Sequence, residues 1–262
     1  MKLVKTMTAC AVSALLAACG GGGGSGGSTA PVVTPAPVPA PVVGAAQGFY
    51  IGTTSDGREI DTIVLENDQF YTMYGHTTNN AFLVSGFVQG NGKSNNGSFT
   101  SADGVDSASN NTRTAASVNA TYTPGVNLNG SLVEAASTVN FTSAPIAAAV
   151  INYNAPAKLA DIAGKWDLTS LRGFATTLNI SATGGLSGNS SGCVMSGSIV
   201  PRASGKNVFD VSIDFGPAPC LIPSQSIKGI AIDYVATNGQ RQLIVAGIDS
   251  ARVNTAAFFG VR

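Results

Sequence analysis

Residues 188–192 of this 262-residue chain have the pattern G-x-S-x-G, in which Ser190 could be a nucleophile. Such a serine reacts when a strained strand-to-helix turn exposes it beside a histidine and an oxyanion hole. Here the flanking residues are typical of turns, no helical period follows, and the only histidine is the distant His76. We therefore expect a turn at 188–192 and no catalytic activity. A serine hydrolase that uses Ser190 is the enzymatic alternative.

Patterns that could bind phosphate or metal ions are incomplete. Residues 92–94 read Gly-Lys-Ser like the end of a phosphate loop, but Phe87 occupies the position of the required earlier glycine. Zinc at His76, in a predicted hairpin turn over 74–80, would need further His or Cys ligands. The oxygens of residues 103–111 match no calcium-loop spacing. The sequence predicts neither a metal nor a cofactor.

Two groups of carboxylates could support acid–base chemistry. Asp56, Glu59 and Asp61 cluster near a predicted turn, and Asp210 and Asp214 share one face of a predicted strand. Paired carboxylates hydrolyse glycosides when a cleft raises the pKa of one partner. A solvated strand face accounts for both groups, so we expect no such site.

The residues before position 20 have the features of an export signal. Residues 16–19 read Leu-Ala-Ala-Cys behind two lysines and an apolar run, and they resemble the lipobox of bacterial lipoproteins. The resemblance implies that residues 1–18 are a signal peptide, that Cys10 is lost with it, and that Cys19 is acylated and anchors the protein to a membrane. Gly20, in place of the Asp common in lipoproteins of the inner membrane, implies the outer membrane. Which leaflet the protein faces stays open.

Two cysteines remain in the exported chain. Cys193 and Cys220 are expected to form a disulfide, since export exposes them to an oxidising compartment. A hairpin of 192–200 and 206–216 would place Cys193 opposite Asp214 and bring Cys220 to the same end. Closing this loop stabilises the fold by about 3.5 kcal/mol in the chain-entropy model.

Residues 19–47 are expected to form a tether. Glycine and serine make residues 20–28 a flexible coil, and prolines alternate over 31–41, which favours polyproline II. The proline-rich part alone spans roughly 35 Å at about 3.1 Å per residue. Such a tether would hold a folded body away from a lipid surface.

Composition excludes one class of partner. Charged residues are 11% of the chain, against roughly 25% in typical soluble domains. Loss of Lys2 and Lys5 with the leader leaves 12 basic against 14 acidic residues, a mature charge of about −2. No basic block is present, so we expect no nucleic-acid binding.

The remaining chain reads as a duplication of two β units, 48–153 and 154–262. Apolar and polar residues alternate, as in Val211, Ile213 and Phe215, and glycine-rich turns recur every eight to twelve residues. This predicts an all-β fold of two tandem small antiparallel barrels or sandwiches. Corresponding segments are 48–50 with 164–166, 84–88 with 195–199, and 129–132 with 228–231. The first unit adds a Ser/Asn-rich loop at 101–114, and the second begins with a joint at 154–157 and a helical turn at 158–163.

The start of the second unit resembles the first strand of lipocalin-like barrels. The resemblance rests on Gly164-Lys165-Trp166 after residues 159–163. It implies that Gly164 and Trp166 close one end of the barrel, with Arg252 or Arg262 packed on the indole. The tethered pair of units is also similar to surface lipoproteins of the factor H-binding and transferrin-binding types.

We therefore expect an outer-membrane lipoprotein that binds a partner or supports the envelope and is not an enzyme. Its membrane partner is the bilayer that holds the N-terminal lipid. A lipocalin-like carrier of a small apolar ligand is the first alternative, and a surface adhesin is another. The sequence does not identify the protein or ligand that would bind.

Overall fold

The computed structural model describes residues 42–79, 81–236 and 239–262. The predicted signal peptide (1–18), the predicted lipid site Cys19 and the tether up to residue 41 lie outside this part of the chain. Within it, no helix has the length and apolar content needed to cross a bilayer.

The described chain is almost entirely β-structure, in two groups of strands separated by one short helix. The first group comprises β1 (Gly48–Thr54), β2 (Glu59–Val64), β3 (Gln69–Thr78), β4 (Ala81–Asn91), β5 (Lys93–Asn95), β6 (Ser98–Ala108), β7 (Arg113–Thr123), β8 (Asn127–Glu134) and β9 (Thr138–Pro145). After α1 (Leu159–Ile162), the second group comprises β10 (Gly164–Ser170), β11 (Ala175–Ile180), β12 (Gly185–Ser190), β13 (Cys193–Pro201), β14 (Phe209–Phe215), β15 (Ser226–Val235), β16 (Arg241–Ile248) and β17 (Thr255–Val261).

Each group closes into an antiparallel barrel of eight strands. In the first, β4 pairs with β6 and β1 with β9, so the ring closes and the short β5 extends from β6. In the second, the strands follow in chain order and β10 pairs with β17. The predicted all-β fold with two tandem units is confirmed, and both units are barrels rather than sandwiches.

Each barrel encloses its own apolar core, because alternate side chains of a strand point inward. In the first barrel Phe70 and Phe99 meet edge to face, with ring centroids 5.8 Å apart. In the second, Trp166 and Phe209 are completely buried.

A third apolar cluster lies between the barrels, and the sequence analysis did not predict it. It joins the outward faces of β1–β4 to those of β15–β17. Across this contact the Gln242 side chain accepts from the Phe82 amide at 3.1 Å and donates to its carbonyl at 2.9 Å. Strand β16 is therefore buried on both faces, which explains its unbroken apolar run. Its outward members include Ile244 and Ala246.

The structure matches two of the three predicted repeat correspondences. Gly48 and Gly164 each begin the first strand of a barrel, and residues 84–88 and 195–199 each lie in the fourth strand. The third correspondence is wrong by one strand. Residues 129–132 lie in the seventh strand of the first ring, whereas 228–231 lie in the sixth strand of the second.

Two predicted loops of the first barrel are instead strands. The loop expected at 101–114 is the end of β6, a turn at 109–112 and the start of β7, with a register shift between Ser101 and Gly104. The turn expected at 74–80 is shorter, because β3 continues to Thr78 and includes His76. Polar residues facing solvent obscured both strands, since the alternation of apolar and polar residues is weak there.

The predicted register of the β13–β14 hairpin is also wrong. Ser196, not Cys193, lies opposite Asp214. Strand β13 continues to Pro201 and the following loop runs to Val208, which shifts the centre of the hairpin towards the C-terminus. Cys193 therefore lies beyond the last pair of the hairpin, beside the loop that carries Cys220.

Candidate ligand-binding site

The entry end of each barrel, where its first strand begins, is closed in the same way. The Trp166 indole donates to the carbonyl of Ile162 at 2.7 Å, and the Tyr50 hydroxyl donates to the carbonyl of Ala46 at 2.9 Å. In both cases an aromatic residue reaches four residues back, to a segment that packs into the barrel. Burial raises the pKa of Tyr50 to about 12.

The structure places the predicted closing residues of the second barrel together. The Arg262 guanidinium lies 4.1 Å above the Trp166 ring and donates to the carbonyls of Ala163 and Asp161 at 2.9 Å. Gly164 has a φ of +111°, and a Cβ there would lie 3.2 Å from Arg262. Of the two expected arginines, Arg262 makes this contact.

Arg252 and Ser94 have other structural roles. Arg252 donates to the side chain and carbonyl of Gln89, across the contact between the barrels. Ser94 is buried and hydrogen-bonds the buried Asp68 carboxylate, which also accepts from the amide of Gly44. Residues 92–94 thus help to fix the segment that closes the first barrel, and they form no phosphate loop.

The far end of the second barrel, where β10 ends, contains a cavity of about 250 Å³. Its wall is largely apolar, and two of the apolar residues on its rim, Phe174 and Leu221, are exposed to solvent by 41% and 57%. Met195, Phe215 and Phe258 line it from inside the barrel. Exposed apolar side chains around an apolar cavity are typical of a binding site.

The third strand of this barrel contributes a small residue, Ser190, to the cavity wall. Counting from the entry end, the inward side chains of β12 are Leu186, Gly188 and Ser190. The Ser190 hydroxyl lies 2.8 Å from that of Thr176, and the two hydroxyls are hydrogen-bonded. Residues 191–192 form the tight turn of a hairpin, both with positive φ. The turn predicted over 188–192 is therefore shorter, because residues 188–190 belong to β12.

The predicted disulfide between Cys193 and Cys220 is confirmed, with the two Cα atoms 4.4 Å apart. It attaches the loop between β14 and β15 to the start of β13. That loop carries Pro219, Leu221 and Ile222 on the cavity wall. The disulfide therefore holds one side of the cavity in place.

Two arginines lie on the cavity rim, one from each barrel. Arg172 follows β10, and Arg113 begins β7 at the neighbouring turn of the first barrel. The Arg172 guanidinium donates to the side chain of Asn111 on that turn. Partial burial and the like charge of Arg113 hold the pKa of Arg172 below its ordinary value. Sequence reasoning missed both, because an isolated arginine near a turn carries no motif.

The corresponding end of the first barrel is filled. The Arg58 guanidinium lies 4.2 Å above the Tyr74 ring, and the Tyr74 hydroxyl donates to Asp106 at 2.8 Å. Burial, together with the nearby Glu134 carboxylate, raises the pKa of Asp106 to about 6. Only about 50 Å³ of cavity remains there.

The remaining carboxylates form no shared site. Asp56 pairs with Arg58 at 2.6 Å. Asp210 pairs with Arg202, and Asp214 accepts from the Ser226 hydroxyl. No group of three His, Cys, Asp or Glu side chains in the described ranges is placed to hold a metal ion.

Glu59 and Asp61 on β2 point to different partners. The Glu59 carboxylate accepts from the Thr77 amide at 2.9 Å. Asp61 lies at the contact between the barrels and accepts from the Tyr234 hydroxyl at 3.4 Å. Burial raises its pKa to about 7.

Comparison with protein-family models, with curated proteins and with solved structures finds no match to this chain.

Proposed function

We propose that this chain is a non-enzymatic binding protein, anchored by lipid to the bacterial outer membrane, that takes a small apolar ligand into the far end of its second barrel. The apolar cavity of about 250 Å³ is the observation that carries the proposal. Of the functions considered from the sequence, the carrier of an apolar ligand is the one this geometry supports best.

The cavity volume sets the size of the ligand. A cavity of about 150 Å³ accepts benzene, with six heavy atoms, so about 250 Å³ suits roughly ten heavy atoms. Burial of such a ligand removes apolar surface from water, at about 25 cal/mol per Å². Backbone already organised by the barrel and the disulfide loses little entropy on binding.

A binding role rather than catalysis is supported by the groups around the cavity. Ser190 is hydrogen-bonded to Thr176 within the β11–β12 pair. The only histidine, His76, belongs to the other barrel. A serine without a base is a poor nucleophile, so a fluorophosphonate probe is expected to leave Ser190 unlabelled.

Calorimetric titration of the purified protein with 1-octanol tests the binding role. Ala256 lines the cavity on β17, so Ala256→Phe should fill the mouth and abolish octanol binding. Ala136→Phe, in an exposed turn of the first barrel, is the matched control and should bind like the wild type. Equal binding by wild type and Ala256→Phe would contradict the proposal, as would no octanol binding by the wild type.

The anchoring part of the proposal rests on the lipobox resemblance of residues 16–19. Metabolic labelling with a radioactive fatty acid should label the wild type and leave Cys19→Ala unlabelled. An unlabelled wild-type product would overturn the membrane assignment and leave the binding role standing. Protease treatment of whole cells would show which leaflet the protein faces.

A further inference from the structure

In the described part of the chain, Arg113 and Arg172 have no carboxylate, backbone carbonyl or aromatic ring as a partner, which sets them apart from the other arginines. Among the described residues, neither guanidinium forms an ion pair, and Arg113 also lacks a hydrogen-bond partner. Every other arginine has a carboxylate, a backbone carbonyl or an aromatic ring as its partner: Arg58, Arg202, Arg241, Arg252 and Arg262.

The two guanidiniums are also close enough to repel each other. Partial burial and, to a smaller extent, the charge of Arg113 hold the pKa of Arg172 below its ordinary value. The side chain of Asn111 accepts from Arg172 and helps to hold this arrangement, and Asn111 itself has a φ of +72°. An anion placed between the arginines would relieve the repulsion.

Both arginines line the same apolar cavity, so charge and apolar surface meet at one site. We propose that the ligand is an amphipathic carboxylate whose head group is bound by Arg113 and Arg172 while its apolar body of about eight to ten heavy atoms fills the barrel. This inference rests on the proposed function and specifies the chemical class of its ligand. A guanidinium matches a carboxylate in a planar, two-bond geometry.

Residues of both barrels form the site, so the packing of the barrels against each other contributes to ligand binding. The second barrel supplies the cavity and Arg172, and the first supplies Arg113 and Asn111 from the turn between β6 and β7. The contact between the barrels fixes the distance between the two charges. A single isolated barrel would have the apolar cavity and only one of the cations.

Calorimetric titration with octanoate, 1-octanol, octylammonium and 3-phenylpropanoate tests the inference on the intact protein. The wild type should bind octanoate at least tenfold more tightly than octanol, because a charged hydrogen bond contributes about a tenfold affinity or more. Octylammonium should bind more weakly than octanol. A preference for octanoate over 3-phenylpropanoate would indicate an alkyl ligand, and the reverse an aryl one; either supports an amphipathic carboxylate.

Arginine variants separate this inference from the proposed function. Arg113→Gln and Arg172→Gln should each weaken octanoate binding about tenfold and affect octanol binding much less, so that the preference for octanoate is lost. Lys93→Gln, an exposed lysine outside the cavity, is the control and should change neither. If octanol binds as tightly as octanoate and neither arginine variant changes octanoate affinity, the inference is wrong, although the apolar binding site is still supported. If neither compound binds the wild type, both fall.

Discussion

The far ends of the two barrels show how one architecture can be either filled or open. In the first barrel Tyr74 fills the space, under the Arg58 guanidinium, and leaves about 50 Å³. In the second barrel the corresponding position of the third strand is Ser190, and about 250 Å³ remains. The difference therefore comes from inward side chains of one strand rather than from the number or order of strands.

The entry ends differ much less. Tyr50 and Trp166 occupy the same position of the first strand and bond to the carbonyl four residues earlier. The two barrels thus close one end in the same way, while their other ends differ. Any binding activity should therefore belong to the far end of the second barrel.

The largest expected effect comes from opening the first barrel. Tyr74→Ser copies the small residue of the second barrel and should lower the free energy of unfolding by about 3–5 kcal/mol, because a buried aromatic side chain is replaced by a cavity. Urea unfolding measures the change. Tyr74→Phe is the control and should cost about 1 kcal/mol, since it loses only the hydrogen bond to Asp106. Equal costs for the two variants would show that Tyr74 does not fill the interior.

The second effect comes from releasing the loop that walls the open cavity. Replacing Cys193 and Cys220 together by serine should lower the free energy of unfolding by about 3.5 kcal/mol, because the unfolded chain gains loop entropy. Octanol binding should weaken as well, since Leu221 and Ile222 line the cavity from that loop. Thermal unfolding and titration measure the two changes. Loss of stability with unchanged octanol binding would show that the disulfide stabilises the fold but does not shape the binding site.

The third effect comes from filling the open cavity from its own third strand. Ser190→Tyr should abolish octanol binding and cost about 1–3 kcal/mol of stability through overpacking. Ser187→Tyr, on the outer face of the same strand, is the matched control and should bind normally. Octanol binding retained in Ser190→Tyr would mean that small residues in β12 do not create the site.

The smallest effect concerns the pH dependence that Asp106 contributes at the filled end. The pKa of Asp106, raised to about 6 by burial, exceeds the value of about 3.9 for an unfolded chain, so the native state binds this proton more tightly. Its contribution to stability is therefore present at low pH and is lost as pH rises from about 4 to about 7. Urea unfolding at several pH values should show this trend in the wild type, and Asp106→Asn should reduce it. Asp167→Asn, on the exposed face of β10, is the control and should keep the slope in this window. An unchanged slope in Asp106→Asn would refute the assignment.

The sequence allowed prediction of the features that depend on local patterns. The all-β class follows from alternation, the start of each barrel from Gly48 and Gly164, and the disulfide from the two cysteines that lie outside the predicted leader and lipid site. The contact between the barrels could also have been predicted, because the apolar run in β16 signals a strand buried on both faces.

Other features depend on distances across the fold and could not be predicted. Predicting the cavity requires knowing that Ser190 faces inward where β12 ends, opposite residues from distant strands such as Phe258. Predicting the charges on the cavity rim requires knowing that the fold brings Arg113 of one barrel close to Arg172 of the other. The predicted register of β13 and β14 is wrong because the length of their connecting loop has no strong signal in the sequence. Local patterns thus predicted the barrels, and tertiary packing created the site.

A crystal structure of the protein soaked with 8-bromooctanoate would locate the ligand directly. We expect an anomalous bromine peak inside the second barrel, close to Met195 and Phe215, with the carboxylate between Arg113 and Arg172. A peak inside the first barrel beside Tyr74, or no peak in either barrel, would contradict the proposed binding site.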